Sequence, residues 1–117
     1  MSFTSWENVP EDTLIQGIKR RVVTGDKVML GRLTFPKGAK VPAHQHESEQ
    51  MTQVFEGALQ FEVDGETVIV RPGDVLFIPS GVVHSAEALE DTLEIDAFGP
   101  IRTDWLDGSD AYIRDEK

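Results

Sequence analysis

The stretch KGAKVPAHQHESEQMTQVFEGAL, residues 37–59, contains two of the three histidines of the chain, His44 and His46, in a segment with the pattern of a β-strand. Side chains two residues apart on a strand point to the same face, about 6.6 Å apart, so the two imidazoles are expected to converge on one point. Gln50 has the same parity if the strand continues, whereas Glu49, the rival oxygen ligand, points outward. A histidine pair on a strand is by itself weak support for a metal site, because two exposed polar side chains fit the same pattern.

Length and composition limit the possible domain organisation and metal chemistry of the chain. Its 117 residues are close to the commonest size of a single domain, and we expect one domain with its core at about residues 14–106 and a C-terminal tail at 107–117. Because the chain has no cysteine, any metal must be bound through nitrogen and oxygen atoms. The N-terminus lacks the features of a signal peptide, and no apolar run approaches the roughly 20 residues that span a bilayer. A cytoplasmic protein with no membrane partner is therefore expected.

The acidic composition bears on the choice of partner. A formal net charge of −10 argues against nucleic acid, because affinity for phosphates depends on Lys and Arg contacts. The same charge repels anionic small molecules at long range, so a site for one requires its own local cation.

Short apolar runs bounded by Gly, Pro or Asp recur along the chain, which favours an all-β sandwich or barrel with little helix. Asp64-Gly65 lies between two alternating runs and predicts a tight hairpin. The C-terminal TDWLDGSDAYIRDEK fits either a short helix or a loose tail and is left unassigned. The predicted strands are 18–23, 27–35, 51–57, 58–63, 66–70, 74–79 and 92–98.

Two gapped patterns resemble the paired motifs of the cupin superfamily. In the first, Gly38, His44, His46, Gln50 and Gly57 stand at the motif spacing, with Gln50 in place of the usual Glu. In the second, GDVLFIPSGVVH, the spaced residues are Gly73, Pro79, Gly81 and His84, and Ala88 stands where Asn is usual. The resemblance implies a single-domain antiparallel jelly-roll barrel. It also implies that His44, His46, Gln50 and His84 bind one divalent metal ion, with open positions left for substrate.

A second group of polar residues follows in the last predicted strand. Asp96 and Phe98 have the same parity, and Arg102 comes just after Gly99-Pro100 turns the chain. An acid, an aromatic ring and a guanidinium are thus candidates to line one pocket. Periodicity alone favours a plainer interpretation, with Phe98 in the core and the two charged residues at the surface.

The whole pattern resembles the KdgF family, the small cupins of pectin and alginate degradation. The resemblance rests on the four candidate metal ligands, on the spacing of Asp96, Phe98 and Arg102, on Lys19-Arg20-Arg21 and on VFEGALQFEVDG. It implies an isomerase-type enzyme that converts 4,5-unsaturated monouronates to linear 5-keto acids. It also implies a homodimer with an anionic sugar as its small-molecule partner, and it favours nickel as the metal, with iron or zinc next.

The resemblance suggests a role for each residue of the second group. Asp96 is expected to be the general acid/base, Phe98 to wall the sugar ring, and Arg102 to bind the substrate carboxylate as the local cation. Two other functions are compatible with the sequence. An iron(II) cupin dioxygenase would consume oxygen, and a non-catalytic sugar-binding cupin would bind a uronate without changing it.

Overall fold

The computed structural model describes residues 1–114, and the last three residues of the predicted tail, 115–117, lie outside this part of the chain. The described residues form ten β-strands, two short α-helices and two 3₁₀ turns at Trp6–Asn8 and Ile15–Gly17. The strands are β1 (Asp12–Thr13), β2 (Lys19–Thr24), β3 (Met29–Phe35), β4 (Lys40–His44), β5 (Glu49–Glu56), β6 (Leu59–Val63), β7 (Glu66–Val70), β8 (Val75–Ile78), β9 (His84–Ala88) and β10 (Thr92–Gly99). The helices are α1 (Thr103–Asp107) and α2 (Ala111–Arg114).

Two antiparallel sheets enclose one hydrophobic core, which confirms the predicted all-β cupin architecture. The larger sheet has the order β1-β2-β3-β10-β5-β8, and the smaller has the order β4-β9-β6-β7. Leu33 and Val54 of the larger sheet and Leu59 and Phe61 of the smaller belong to the same buried cluster. Since both inner faces contribute to this cluster, the space between the sheets is the interior of the barrel.

The Asp64-Gly65 hairpin is confirmed. Both residues have positive φ, 51° and 82°, as a type I′ turn requires, and Val63 pairs with Glu66 across it. By contrast, the strand pattern expected at both histidines holds only for His44, since β4 ends at that residue and β5 begins at Glu49. Gln50 therefore does not lie on the same strand as His44. Strand β9 was absent from the predicted runs because its short sequence lacks a clear apolar alternation.

Strand β10 places polar side chains inside the barrel. It lies between β3 and β5 at the centre of the larger sheet, and alternate residues along it point inward. The inward residues are Thr92, Glu94, Asp96 and Phe98, each of which is buried. A central strand with two buried carboxyl groups is unusual, because burying a charge costs free energy unless it is paired.

Within the C-terminal segment left unassigned, residues 103–114 form α1 and α2 and pack on the barrel. Trp105 of α1 and Ile113 of α2 are buried. Asp110, just before α2, accepts a hydrogen bond from Arg20 of β2 at 2.7 Å, and neither side chain is exposed. The Arg20 guanidinium also stacks over the Trp105 ring at 4.3 Å from its centroid. These contacts attach the C-terminal helices to the larger sheet.

No helix within residues 1–114 is long and apolar enough to cross a membrane.

The outer face of the larger sheet exposes Met51, Phe55, Val75 and Phe77 on the neighbouring strands β5 and β8. An apolar face of this kind is suited to an interface with another molecule. The homodimer expected from the resemblance stays a prediction.

Replacing Asp110 with Ala is expected to lower the free energy of unfolding by about 3 kcal/mol, because it removes the buried carboxylate of Arg20 and leaves only the half-exposed Asp12, at 3.5 Å, beside the guanidinium. Urea unfolding measures the difference from wild type. Asp107→Ala is the matched control, since Asp107 is an exposed aspartate of the same segment and its loss is expected to cost less than 1 kcal/mol. Equal stabilities of the two variants would contradict the anchoring role of the pair.

Candidate metal and substrate site

Three histidines meet at one end of the barrel. His44, the last residue of β4, pairs directly with His84, the first residue of β9. His46 lies in the loop between β4 and β5, so the loop, rather than strand parity, brings it to the other two. One ligand nitrogen from each ring lies within 4.8 Å of the others. The convergence predicted for His44 and His46 is therefore present, although its structural basis differs from the predicted one.

Each imidazole is held in the same tautomer by the backbone. The Nδ1 atoms lie close to the carbonyl oxygens of Pro42 (2.8 Å, from His44), Ser48 (2.7 Å, from His46) and Val82 (2.9 Å, from His84). Because a carbonyl only accepts, Nδ1 carries the hydrogen and Nε2 retains its lone pair. This is the arrangement of metal-binding histidines, in which the second ring nitrogen donates to a fixed acceptor. Nε2 of His84 is buried and has no hydrogen-bond partner within residues 1–114.

Gln50 of β5 completes the group of candidate ligands. Its amide nitrogen donates to Asp96 Oδ1 at 3.3 Å and to Thr52 Oγ1 at 2.9 Å, which leaves Oε1 3.2 Å from Nε2 of His46. Two lone pairs that face each other repel unless a cation lies between them. Three imidazole nitrogens and one amide oxygen fit a divalent metal ion. Glu49 is exposed and does not join the group, as its parity predicts.

Burial keeps the histidines neutral. It lowers the pKa of His44 to about 3, helped by the neighbouring His84, and lowers the pKa of His46 to about 4, helped by the positive charge of Arg102. Burial also lowers the pKa of His84. Neutral imidazoles are the metal-binding form, so the site is ready for a cation without first losing protons.

Asp96 connects the histidine cluster to the interior of the barrel. Its Oδ1 accepts hydrogen bonds from Gln50 and from the Thr52 hydroxyl, the latter at 2.6 Å. Glu94, two residues earlier on the same face, is equally buried. Burial raises the pKa of both carboxyls, and the neighbouring Asp96 raises that of Glu94 further. Glu94 Oε2 has no hydrogen-bond partner within residues 1–114.

Arg102 places a buried positive charge beside the cavity. Its side chain is buried, and Nε and Nη2 donate to the two carboxylate oxygens of Asp104 at 3.1 and 2.7 Å. Nη2 also donates to the Tyr112 hydroxyl at 2.9 Å. The guanidinium lies 5.2 Å from the centroid of Phe98 and is close enough to lower the pKa of Asp96. The structure thus brings the predicted Asp96, Phe98 and Arg102 together on one wall.

These residues line a cavity of about 40 Å³ in the barrel, which has room for ordered water and is partly open to solvent. Strands form most of its wall, and the C-terminal helices contribute Trp105, Tyr112 and Ile113.

Sequence reasoning missed several residues of the site. Glu94 has the same parity as Asp96 and Phe98, and that signal is sufficient to place it on the same face. Tyr112 and Asp104 belong to the segment that carried no recognisable motif, and no sequence pattern identifies them. The two become part of the site only because α1 and α2 fold back over the barrel.

The fold and the site define a cupin. The family profile described as "Cupin domain" matches residues 31–96, more than half of the chain. The pectin degradation protein KdgF of Dickeya dadantii (strain 3937) is 32% identical over 103 residues, which cover 86% of this chain and 94% of that protein.

Solved structures agree with this assignment. The structure of KdgF from Halomonas sp. is 35% identical, with a TM-score of 0.83 over 90% of this chain and 98% of that one. An RmlC-like cupin from Shewanella frigidimarina NCIMB 400 is 30% identical, with a TM-score of 0.84 over 90% and 96% of the two chains. The chain therefore belongs to the KdgF family of cupins.

Metal affinity is expected to change less than tenfold between pH 7.5 and 5.5. Free imidazoles, with an ordinary pKa of about 6.5, would lose about tenfold in affinity per ligand over this range. His44 and His46 are expected to avoid this loss, because their pKa values, about 3 and about 4, lie below this pH range. Titration of the metal-free protein with nickel at both pH values tests this, with His84→Ala as the variant that loses binding. A loss of a hundredfold or more would contradict neutral, pre-formed ligands.

Proposed function

We propose that this protein converts 4,5-unsaturated monouronates, released by pectin or alginate breakdown, into linear 4-deoxy-5-keto acids with the aid of one divalent metal ion. Nickel is the favoured metal, with iron or zinc as alternatives. The observation that carries the proposal is the buried Asp96 carboxylate, which accepts a hydrogen bond from the amide of a candidate metal ligand and is close enough to Arg102 for its charge to lower the pKa of Asp96. A relative named for pectin degradation supports the choice of substrate class.

The proposed reaction is an isomerisation in which one proton changes place. The bond between C1 and the ring oxygen breaks, and the C1 hydroxyl loses its proton as C1 becomes an aldehyde. The ring oxygen stays on C5, which becomes a ketone as the C4–C5 double bond is lost and C4 takes up a proton. No oxidant, reductant or second substrate is required. The enzyme must therefore accept a proton from one oxygen and deliver one to a carbon of the same ring.

Asp96 is placed to move this proton. Its carboxylate is inside the cavity wall, and its Oδ1 is fixed by Thr52 and Gln50. Burial raises its pKa above the ordinary aspartate value, and hydrogen bonds and Arg102 limit the rise. The pKa of the buried Glu94 beside it is raised as well. In this proposal Glu94 stays neutral and Asp96 is the carboxylate that accepts the proton.

Arg102 and Phe98 orient the substrate in this proposal. The substrate carboxylate is attached to C5, so its capture by Arg102 brings C4 and C5 to the wall that contains Asp96. Phe98 packs edge-on against His46 and Trp105 and limits the access of water to the reacting atoms. His44, His46, His84 and Gln50 would hold the metal ion, which when bound supplies Lewis acidity that polarises substrate oxygens.

The proposal is tested with enzymatically generated 4,5-unsaturated galacturonate and with its alginate-derived counterpart. The conjugated double bond absorbs ultraviolet light, and we expect the nickel-loaded protein to remove this absorbance faster than buffer does. A chelator is expected to abolish the acceleration, and an oxygen electrode is expected to record no uptake. Oxygen uptake would favour the dioxygenase function. Saturable binding without loss of absorbance would favour a sugar-binding protein, and either result would overturn the proposal.

Asp96→Asn is expected to lower turnover by about 10² to 10⁴-fold, the usual contribution of a general acid/base. Asparagine is nearly the same size and keeps an oxygen for Thr52 and Gln50, so the bound metal content is expected to stay at the wild-type level. Asp26→Asn, at an exposed aspartate, is the control for loss of one negative charge. Wild-type turnover in Asp96→Asn would exclude this role for Asp96.

A further inference from the structure

Tyr112, the single tyrosine of the chain, contacts both halves of the site from α2. Its ring stacks on the imidazole of His44, with the centroids 4.2 Å apart and the planes at 16°. Its hydroxyl oxygen accepts hydrogen bonds from Arg102 Nη2 at 2.9 Å and from Trp105 Nε1 at 3.1 Å. One side chain therefore contacts a candidate metal ligand and the candidate carboxylate-binding arginine.

Two hydrogen-bond donors remain unpaired at this place. The Tyr112 oxygen accepts from two N–H groups, and within residues 1–114 its own hydroxyl hydrogen has no acceptor. Nη1 of Arg102 also has no hydrogen-bond partner in this part of the chain, because Asp104 and Tyr112 engage only Nε and Nη2. Both residues line the interior cavity. Adjacent unpaired O–H and N–H donors form a site for an anion with two oxygens.

The C-terminal segment holds Tyr112 in this position. Asp110, at the start of α2, is attached to the barrel through its buried pair with Arg20. The Tyr112 ring lies on His44, and its hydroxyl lies beside the Arg102 guanidinium. A carboxylate bound to Nη1 of Arg102 would therefore lie next to the Tyr112 hydroxyl.

We propose that Tyr112 is a substrate-binding residue whose hydroxyl donates a hydrogen bond to the substrate carboxylate beside Nη1 of Arg102. The inference rests on the proposed function in taking the ligand to be a uronate. It extends the site beyond the cupin motifs to a segment that sequence reasoning left unassigned.

The test uses binding of a saturated uronate, D-galacturonate, which has the carboxylate but lacks the double bond and is not consumed. In isothermal titration calorimetry on nickel-loaded protein, Tyr112→Phe is expected to weaken D-galacturonate binding about tenfold, the usual effect of losing a hydrogen bond to a charged group. Binding of neutral D-galactose is expected to be unchanged. The phenylalanine ring preserves the stack on His44, so the metal content is also expected to be unchanged. Ser109→Ala, which removes an exposed hydroxyl from the same segment, is expected to bind D-galacturonate as wild type does.

A second comparison separates direct contact from an effect on the arginine. In an Arg102→Gln background, direct donation predicts that Tyr112→Phe still weakens D-galacturonate binding several-fold. If the tyrosine acted only by holding Arg102, the second change would have no further effect. Any of three results would overturn the inference. They are no further effect of Tyr112→Phe in the Arg102→Gln background, wild-type affinity in Tyr112→Phe alone, and equal losses of affinity for D-galactose and D-galacturonate. Since D-galacturonate is not turned over, the outcome is independent of whether unsaturated uronates are isomerised.

Discussion

The geometry of the site depends on the hydrogen bond from the Gln50 amide to the buried Asp96 carboxylate. An amide can present either its nitrogen or its oxygen, and the carboxylate selects the nitrogen. The oxygen is thereby directed at Nε2 of His46, where two lone pairs face each other. One hydrogen bond thus joins the candidate metal ligands to the residue proposed to move the proton. A carboxylate in place of Gln50 would repel Asp96 at this distance. A neutral amide at this position avoids the repulsion and can donate a hydrogen bond instead.

Charge is distributed in the barrel in a way that the net value of −10 does not reveal. Two buried guanidinium groups, those of Arg20 and Arg102, lie over the Trp105 ring, 4.3 and 4.7 Å from its centroid. Each pairs with an aspartate, Asp110 for Arg20 and Asp104 for Arg102. Positive charge is therefore present inside a chain whose net charge is strongly negative. The net charge repels anions at long range, and Arg102 is a positive group at the candidate site itself.

The parts of the molecule that were predictable from sequence are those with local causes. The Asp64-Gly65 hairpin follows from backbone conformations that glycine and aspartate tolerate, and the β10 face follows from a period of two. Spaced glycines, prolines and histidines were enough to indicate the cupin barrel. Prediction failed where tertiary contacts decide. His46 lies beside the other histidines because of a loop rather than a strand. Tyr112 contacts His44 because Arg20 and Trp105 hold the C-terminal helices on the barrel. Local sequence patterns do not indicate either contact.

The inward face of β10 has a consequence for the heat resistance of this chain. Buried Glu94 and Asp96 occupy positions where a barrel strand would ordinarily contribute apolar side chains to the core, and their burial opposes folding. Apolar residues of similar size at these two positions would therefore raise the melting temperature. The heat resistance of the barrel is limited in part by two carboxyl groups on one central strand.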